Sequence, residues 1–321
     1  MHPDTARELK ARILQFLRAG PQVAQQEVGV PRRRPRIAVG LAPAGSGRAR
    51  VAVRLERAAD EALLPDLGSA AEAELELRVI GPVLALRSPS PGDLLRPVRP
   101  LRPGLSVAHP SVTAGTLGGF VRLEGRLAVL SNNHVLAASD VGSAGDPVLQ
   151  PGPADGGRAA DRIGTLTVFE PFADDRPNLV DAAAAVLDAD VDAEPGDLPG
   201  GPLTGVVTPS SEIDPEEAVE KLGRTTGHTR GRISAVEVDG VTVQYDRAVH
   251  TFDNQIEIEG TTSAFSAGGD SGSVIWRMPD RAPLGLLFAG SEAGGSQGGG
   301  VTFANPLATV LDVLGVEWVG E

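Results

Sequence analysis

Ser266-Ala-Gly-Gly-Asp-Ser-Gly-Ser273 sets a serine hydroxyl among three glycines. Glycines at 268, 269 and 272 let the backbone bend where a Cβ would clash, so the turn exposes the Ser271 side chain. The amides of Gly269 and Ser271 can then converge on one point and stabilise an oxyanion. Acyl transfer by a serine needs such a turn, such donors, and an imidazole to take the proton. In a chain with 40 glycines the motif also fits an ordinary turn, and the histidines have to decide.

Of His2, His109, His134, His228 and His250, only His134 has fitting surroundings. It follows the apolar run Leu127-Ala-Val-Leu130 in Leu130-Ser-Asn-Asn-His-Val-Leu-Ala137, where a strand meets a turn. The third partner should be a carboxylate enclosed enough to hold the imidazole's tautomer. Asp181, in Asn178-Leu-Val-Asp-Ala-Ala-Ala-Ala-Val-Leu187, is flanked by apolar residues, whereas Asp140, Asp146, Asp174 and Asp175 lie in polar stretches.

Around these residues, short apolar segments alternate with Gly-rich turns. Thr116–Leu123, Arg126–Ser131, Arg162–Phe169, Ala182–Leu187, Gly231–Val238 and Val241–Tyr245 all read as strands, a pattern of barrels or sandwiches. Asp190–Pro215, rich in Pro, Gly, Asp and Glu, divides the β-rich region in two, as two barrels joined by a linker would require. Asn305-Pro306 before Leu307–Leu314, with Gly315 beyond, predicts a short C-terminal helix with Asn as its cap.

Upstream, Leu9, Ile13, Phe16 and Leu17 recur at helical spacing between Asp4 and Arg18, which predicts an amphipathic helix within residues 1–30. Arg32, Arg33, Arg34 and Arg36 form a basic knot between prolines, read as solvated linker. Strand-like Arg36–Leu41, Ala49–Leu55 and Glu74–Leu86 make residues 31–87 a small α+β module. Pro89, Pro91, Pro97, Pro100 and Pro103 mark 88–104 as an extended linker to a main domain at 105–321. Within that domain the expected parts are one barrel over 105–190, a linker over 191–215, a second barrel over 216–305 and the helix over 306–315.

Composition narrows the chemistry. Without cysteine, thiol catalysis, disulfides and cysteine zinc sites are excluded. The five histidines are scattered, no His-Glu-x-x-His occurs, and neither metal nor cofactor is implied. A formal net charge of −13 repels phosphate backbones and argues against a nucleic-acid partner. The opening residues carry no signal-peptide pattern and no 18-residue apolar run crosses a membrane, so a soluble, cytoplasmic protein is expected. A homo-oligomer is left open.

The order His134, Asp181, Ser271, with its spacing and the Ser-Asn-Asn-His-Val box, resembles the trypsin-like (chymotrypsin-fold) serine peptidases over Thr113–Gly315. The chain is also similar to the cysteine-free bacterial type and to plant intracellular members, narrow-leaf-like ones included. The resemblance implies a mainly β, double β-barrel fold, with the small α+β module in front and the short helix behind. It implies an endopeptidase acting on protein or peptide substrates, with a peptide-binding scaffold that turns over slowly or not at all as the rival. Lys221-Leu-Gly-Arg-Thr-Thr-Gly-His-Thr-Arg-Gly-Arg-Ile233 resembles the bacterial branch, where an arginine pairs with the aspartate before the serine; here that pair would be Arg224 with Asp270. By the same resemblance Phe265, Phe288, Ala289 and Gly290 border the specificity pocket, which points away from Lys or Arg and toward a small or medium apolar residue. Extended substrate would add a strand along Phe288–Gly290.

Overall fold

A computed structural model describes residues 1–19, 36–45, 47–84, 92–207, 216–296 and 299–320. Arg32, Arg33 and Arg34, much of the Pro-rich 88–104 start and the end of the 191–215 linker lie outside the described residues.

The chain opens with α1 (Pro3–Ala19), β1 (Ile37–Pro43), β2 (Ala49–Leu55), α2 (Ser69–Glu72), β3 (Leu75–Val79) and β4 (Val83–Leu84). The first β-rich half holds β5 (Ser106–Val107), β6 (Gly115–Thr116), β7 (Gly119–Leu123), β8 (Arg126–Ser131), the single-turn α3 (Asn133–Leu136), β9 (Pro147–Leu149), β10 (Arg162–Phe169) and β11 (Ala183–Leu187). The second holds β12 (Ala218–Gly223), β13 (Gly227–Asp239), β14 (Val241–Gln244), β15 (Val249–Phe252), β16 (Gln255–Gly260), β17 (Val274–Arg277), β18 (Pro283–Gly294) and β19 (Gly300–Pro306). The helix α4 (Leu307–Leu314) and β20 (Glu317–Trp318) follow.

In the second half, β12, β13, β16, β19, β18 and β17 pair in that order and β17 returns to β12, closing a six-stranded antiparallel barrel. Period-2 alternation drives it: Val219, Ile233, Ile256, Ile258, Ile275 and Leu287 point inward and are buried together. The first half is a six-stranded sheet in the order β20-β7-β8-β11-β10-β9, with β5 and β6 as a separate pair joined to it by the Ala108–Leu149 bridge. Of the two barrels expected from the sequence, the second half forms one closed barrel, while the described strands of the first half form a six-stranded sheet whose end strands do not pair with each other. Between the halves, Val121, Leu130, Val274, Trp276, Leu286, Leu307 and Val310 form a shared core.

The N-terminal residues do not stand apart from the barrel. β1 pairs antiparallel with β13, β2 with β1, and β3 runs parallel beside β2, so the module extends the barrel's own sheet. α1 lays Ala6, Leu9 and Ile13 on the outer face of β1 and β2 with Leu17 packed against them, whereas Phe16 of the expected apolar face is exposed. On the other face Arg54 of β2, fully buried, makes two hydrogen bonds with the buried Glu257 of β16, at 2.8 and 2.9 Å, and two with Glu76, to its carbonyl at 3.0 Å and its carboxylate at 2.9 Å. Burial works against the Arg54 charge, but Glu257 and Glu76 hold the guanidinium protonated above its ordinary value.

α4 has the predicted bounds and ends at Gly315 in the left-handed conformation, φ +64°. Its cap differs from expectation: Pro306 is the N-cap residue, and the Asn305 side chain is turned to the functional site instead. Leu101 and Leu105 are fully buried and Leu101 bridges to Ala193, so this part of the Pro-rich stretch is packed rather than extended into solvent.

Candidate active site

The turn around Ser271 is built as the glycine spacing suggests. Gly269 has φ +93° and Gly272 φ +95°, a region that side-chain-bearing residues rarely occupy. Space enforces the same choice, because a Cβ on Gly272 would meet Ser131 Oγ at 2.1 Å and one on Gly269 would meet Arg224 Nη1 at 2.1 Å. The backbone is fixed to both halves: Thr116 N donates to Ser271 O at 2.8 Å and Gly272 N to Leu287 O at 2.8 Å. The turn does not expose the serine as expected: Ser271 is 1% exposed, because contacts from both halves close over the turn. Its hydroxyl donates to Phe288 O at 3.4 Å.

His134 sits on α3, which follows β8 directly, and His134 N donates to Asp181 Oδ1 at 3.1 Å. Its Nδ1 meets Asp181 Oδ2 at 2.5 Å, so the carboxylate fixes both the ring and the short helix carrying it. Asp181 is fully buried at the entry to β11. Asn305 Oδ1 accepts its N–H at 3.0 Å, and Asn132 Nδ2 donates to its carbonyl at 2.7 Å. Val135, the residue after His134, and the Ser271 carbonyl flank the same glycine, Gly115; a Cβ there would lie 2.4 Å from Val135 Cγ2 and 3.1 Å from Ser271 O. The fold therefore joins His134 to Asp181 and sets the Val135 side chain and the Ser271 carbonyl against one glycine.

A residue not singled out from the sequence completes the carboxylate's shell. Tyr245, the one tyrosine in the chain, donates its hydroxyl to Asp181 Oδ2 at 2.8 Å. Its ring packs at 5.0 Å from Phe172 and 5.6 Å from the His134 imidazole. Burial and the neighbouring Asp181 hold the phenol protonated, well above its ordinary value. Its one sequence signal was rarity in a chain poor in aromatic residues.

The expected Arg224–Asp270 pair does not form. Arg224 lies just past the end of β12, and its guanidinium reaches across to the first half, making a two-bond contact with Asp155 at 2.6 and 2.8 Å. The Asp270 carboxylate is met by Lys221 Nζ at 3.2 Å, by the Thr225 and Thr226 amides at 2.9 and 3.2 Å, and by Thr226 Oγ1 at 2.6 Å. Lys221 is fully buried, and burial lowers its ammonium below the ordinary value while Asp270 opposes the shift. The reason for the difference is positional. Lys221 lies on the strand that runs under the turn, whereas Arg224 has already left it. Arg224 still touches the turn through packing against Gly269.

Phe265 and Phe288 do not line an open pocket with their rings. Phe265 is 2% exposed among Val219, Ile233 and Ile275 in the barrel core, with Lys221 Nζ 5.7 Å from its ring centre. Phe288 is fully buried against Phe252, ring centres 4.7 Å apart, and Ala289 is fully buried in the same cluster. What Phe288 presents toward Ser271 is its carbonyl. A cleft of about 220 Å³ is lined by Glu259, Thr262, Ser263, Ala264 and Ser296. Burial disfavours the Glu259 charge, but hydrogen bonds from Ser296 and the nearby Arg78 outweigh it and hold the carboxyl below its usual range.

No family model and no curated protein matches the chain. Among solved structures the chain is similar to protease A of Thermobifida fusca, at 19% identity over 69% of this chain and 100% of that one, with a TM-score of 0.47. It is also similar to a glutamic acid specific serine protease, at 18% identity over 68% of this chain and 100% of that one, with a TM-score of 0.48. Chymotrypsin of Cellulomonas bogoriensis aligns at 19% identity over 69% of this chain and 100% of that one, with a TM-score of 0.45. These similarities describe those chains and assign no activity to this one.

Proposed function

We propose that the chain is a serine endopeptidase that works through an acyl-enzyme. The observation that carries this reading is the buried Asp181 carboxylate, which holds the His134 ring by Nδ1 at 2.5 Å and its backbone at 3.1 Å, in a chain whose Ser271 stands on a glycine-enforced turn. With Nδ1 engaged, Nε2 is the nitrogen left to act as base.

In this mechanism Ser271 Oγ turns from Phe288 O toward His134 Nε2, a tightening of the kind that often awaits substrate. The oxygen bonds to the peptide carbonyl carbon as its proton passes to Nε2. Negative charge develops on the carbonyl oxygen, where the Gly269 and Ser271 amides receive it. Asp181 stabilises the imidazolium. The C–N bond then breaks, and the amine leaves with the proton from Nε2. Water enters, gives a proton to Nε2 and attacks the ester carbon, releasing the acid and restoring the Ser271 hydroxyl.

The test is cleavage of a broad peptide library by the wild-type chain beside Ser271→Ala. Defined cleavage sites present in the first and absent in the second are expected. Peptide capture by both with cleavage by neither would instead favour the binding scaffold.

A further inference from the structure

Gly290 of β18, expected as part of the open substrate edge, is already paired. Ser271 Oγ lies 3.4 Å from Phe288 O. Residues two apart on a strand present their backbone groups to the same edge, so Gly290 faces the same side about 7 Å farther along. There it pairs antiparallel with Leu84 of β4. On its other edge β4 pairs in parallel with β14, Val83 opposite Val243 and Leu84 opposite Gln244. Val83 is buried in the cluster that holds Phe288 and Phe303. Just upstream, Ile80 closes on Gly294 so tightly that a Cβ there would meet Ile80 Cγ2 at 2.5 Å. The strand is built into the sheet on both sides.

A peptide attacked by Ser271 adds antiparallel to the edge of β18, with the residue bearing the attacked carbonyl opposite Phe288. The residue two positions upstream, the third on the acyl side, then comes opposite Gly290. That is the place Leu84 holds, and β4 runs in the same sense as the substrate would. We propose that β4 is a built-in stop: the cleft reads two substrate residues before the scissile bond, and the chain's own strand excludes the third and those beyond. The inference rests on the peptidase reading of Ser271 and fixes the length of substrate that site accepts.

The experiment is protection of Ser271 from a fluorophosphonate probe by alanyl peptide aldehydes of increasing length, compared between the full-length wild type and Leu84→Pro, which cannot donate the strand hydrogen bond. In the wild type, dialanyl, trialanyl and tetraalanyl aldehydes should protect within about twofold of one another, and in Leu84→Pro the longest should gain about tenfold over the shortest. A comparable gain with length in the wild type, or no gain in Leu84→Pro, overturns the inference while leaving the peptidase reading intact. Absence of labelling in the wild type overturns both. If Leu84→Pro does not fold, amide hydrogen exchange of the wild type decides: the Leu84 and Gly290 amides should stay protected under saturating tetraalanyl aldehyde, and their exposure would show that the strand yields.

Discussion

The Tyr245 hydroxyl donates to Asp181 Oδ2 at 2.8 Å, the oxygen that also receives His134 Nδ1. One carboxylate oxygen is therefore shared between a phenol and the imidazole, and the phenol's direction limits how the carboxylate can turn. Tyr245→Phe keeps the ring packing on Phe172 and removes this hydrogen bond. A bond to a charged group contributes about 1.5–3 kcal/mol, so kcat should fall by roughly 10- to 100-fold with KM little changed. Steady-state kinetics on any cleaved peptide checks this, and a loss below about twofold would reduce Tyr245 to packing.

The same hydroxyl gives a pH signature. Tyr245 has its proton affinity raised well above the ordinary value near 10, chiefly by burial and then by Asp181. Its folded-state value lies above the unfolded one, so its contribution to stability is present below about pH 10 and is lost as pH rises through the folded value. With one tyrosine in the chain, phenolate absorbance reports it alone. Native protein should show no phenolate step near pH 10, whereas protein unfolded in urea should. A native step at the ordinary position would contradict the buried hydrogen bond.

Lys221 and Arg224 can be separated by double-mutant cycles with Asp270. Removing one partner of a buried ion pair strands the other, at a cost of about 3–5 kcal/mol. Lys221→Met should therefore be rescued in part by Asp270→Asn, with a coupling above about 1 kcal/mol. Arg224→Met strands Asp155 instead and should couple more weakly to position 270. Urea unfolding of the three single variants, the two double variants and the wild type measures both couplings.

Gly269→Ala forces a Cβ into a backbone at φ +93°, 2.1 Å from Arg224 Nη1 and 2.6 Å from Thr225 Oγ1. The turn must shift, and with it the amide offered to the oxyanion. Loss of one such donor costs about 10²–10³ in kcat, so acylation of Ser271 should slow by that order while the chain remains folded. Near wild-type acylation by Gly269→Ala would place the oxyanion elsewhere.

Much of this was written locally in the chain. Glycines flanking Ser271, the apolar run into His134 and the alanine-rich setting of Asp181 each answer to backbone sterics or burial, and the structure joins His134 to Asp181 and puts Ser271 on a glycine-enforced turn. The α1 and α4 periodicities and the bounds of β8 and β10 were legible for the same reason. Contacts made by long side chains across elements were not. Lys221 and Arg224 are cations three residues apart, and the path of the strand decides which meets Asp270. Phe265 and Phe288 read as pocket walls, yet the pleat of β18 sends the Phe288 ring into one core and the connection between β16 and β17 folds the Phe265 ring into another. Tyr245 reaches Asp181 from 64 residues away, and β4 meets β18 across 206 positions; such pairings depend on topology rather than on any local pattern.

The most direct test of the central claim is labelling of the intact chain with a fluorophosphonate, mapped by mass spectrometry. One modified residue is expected, Ser271, with labelling abolished in Ser271→Ala and strongly slowed in His134→Ala. Labelling that persists in Ser271→Ala, or a wild-type chain that takes up no probe, would contradict the account.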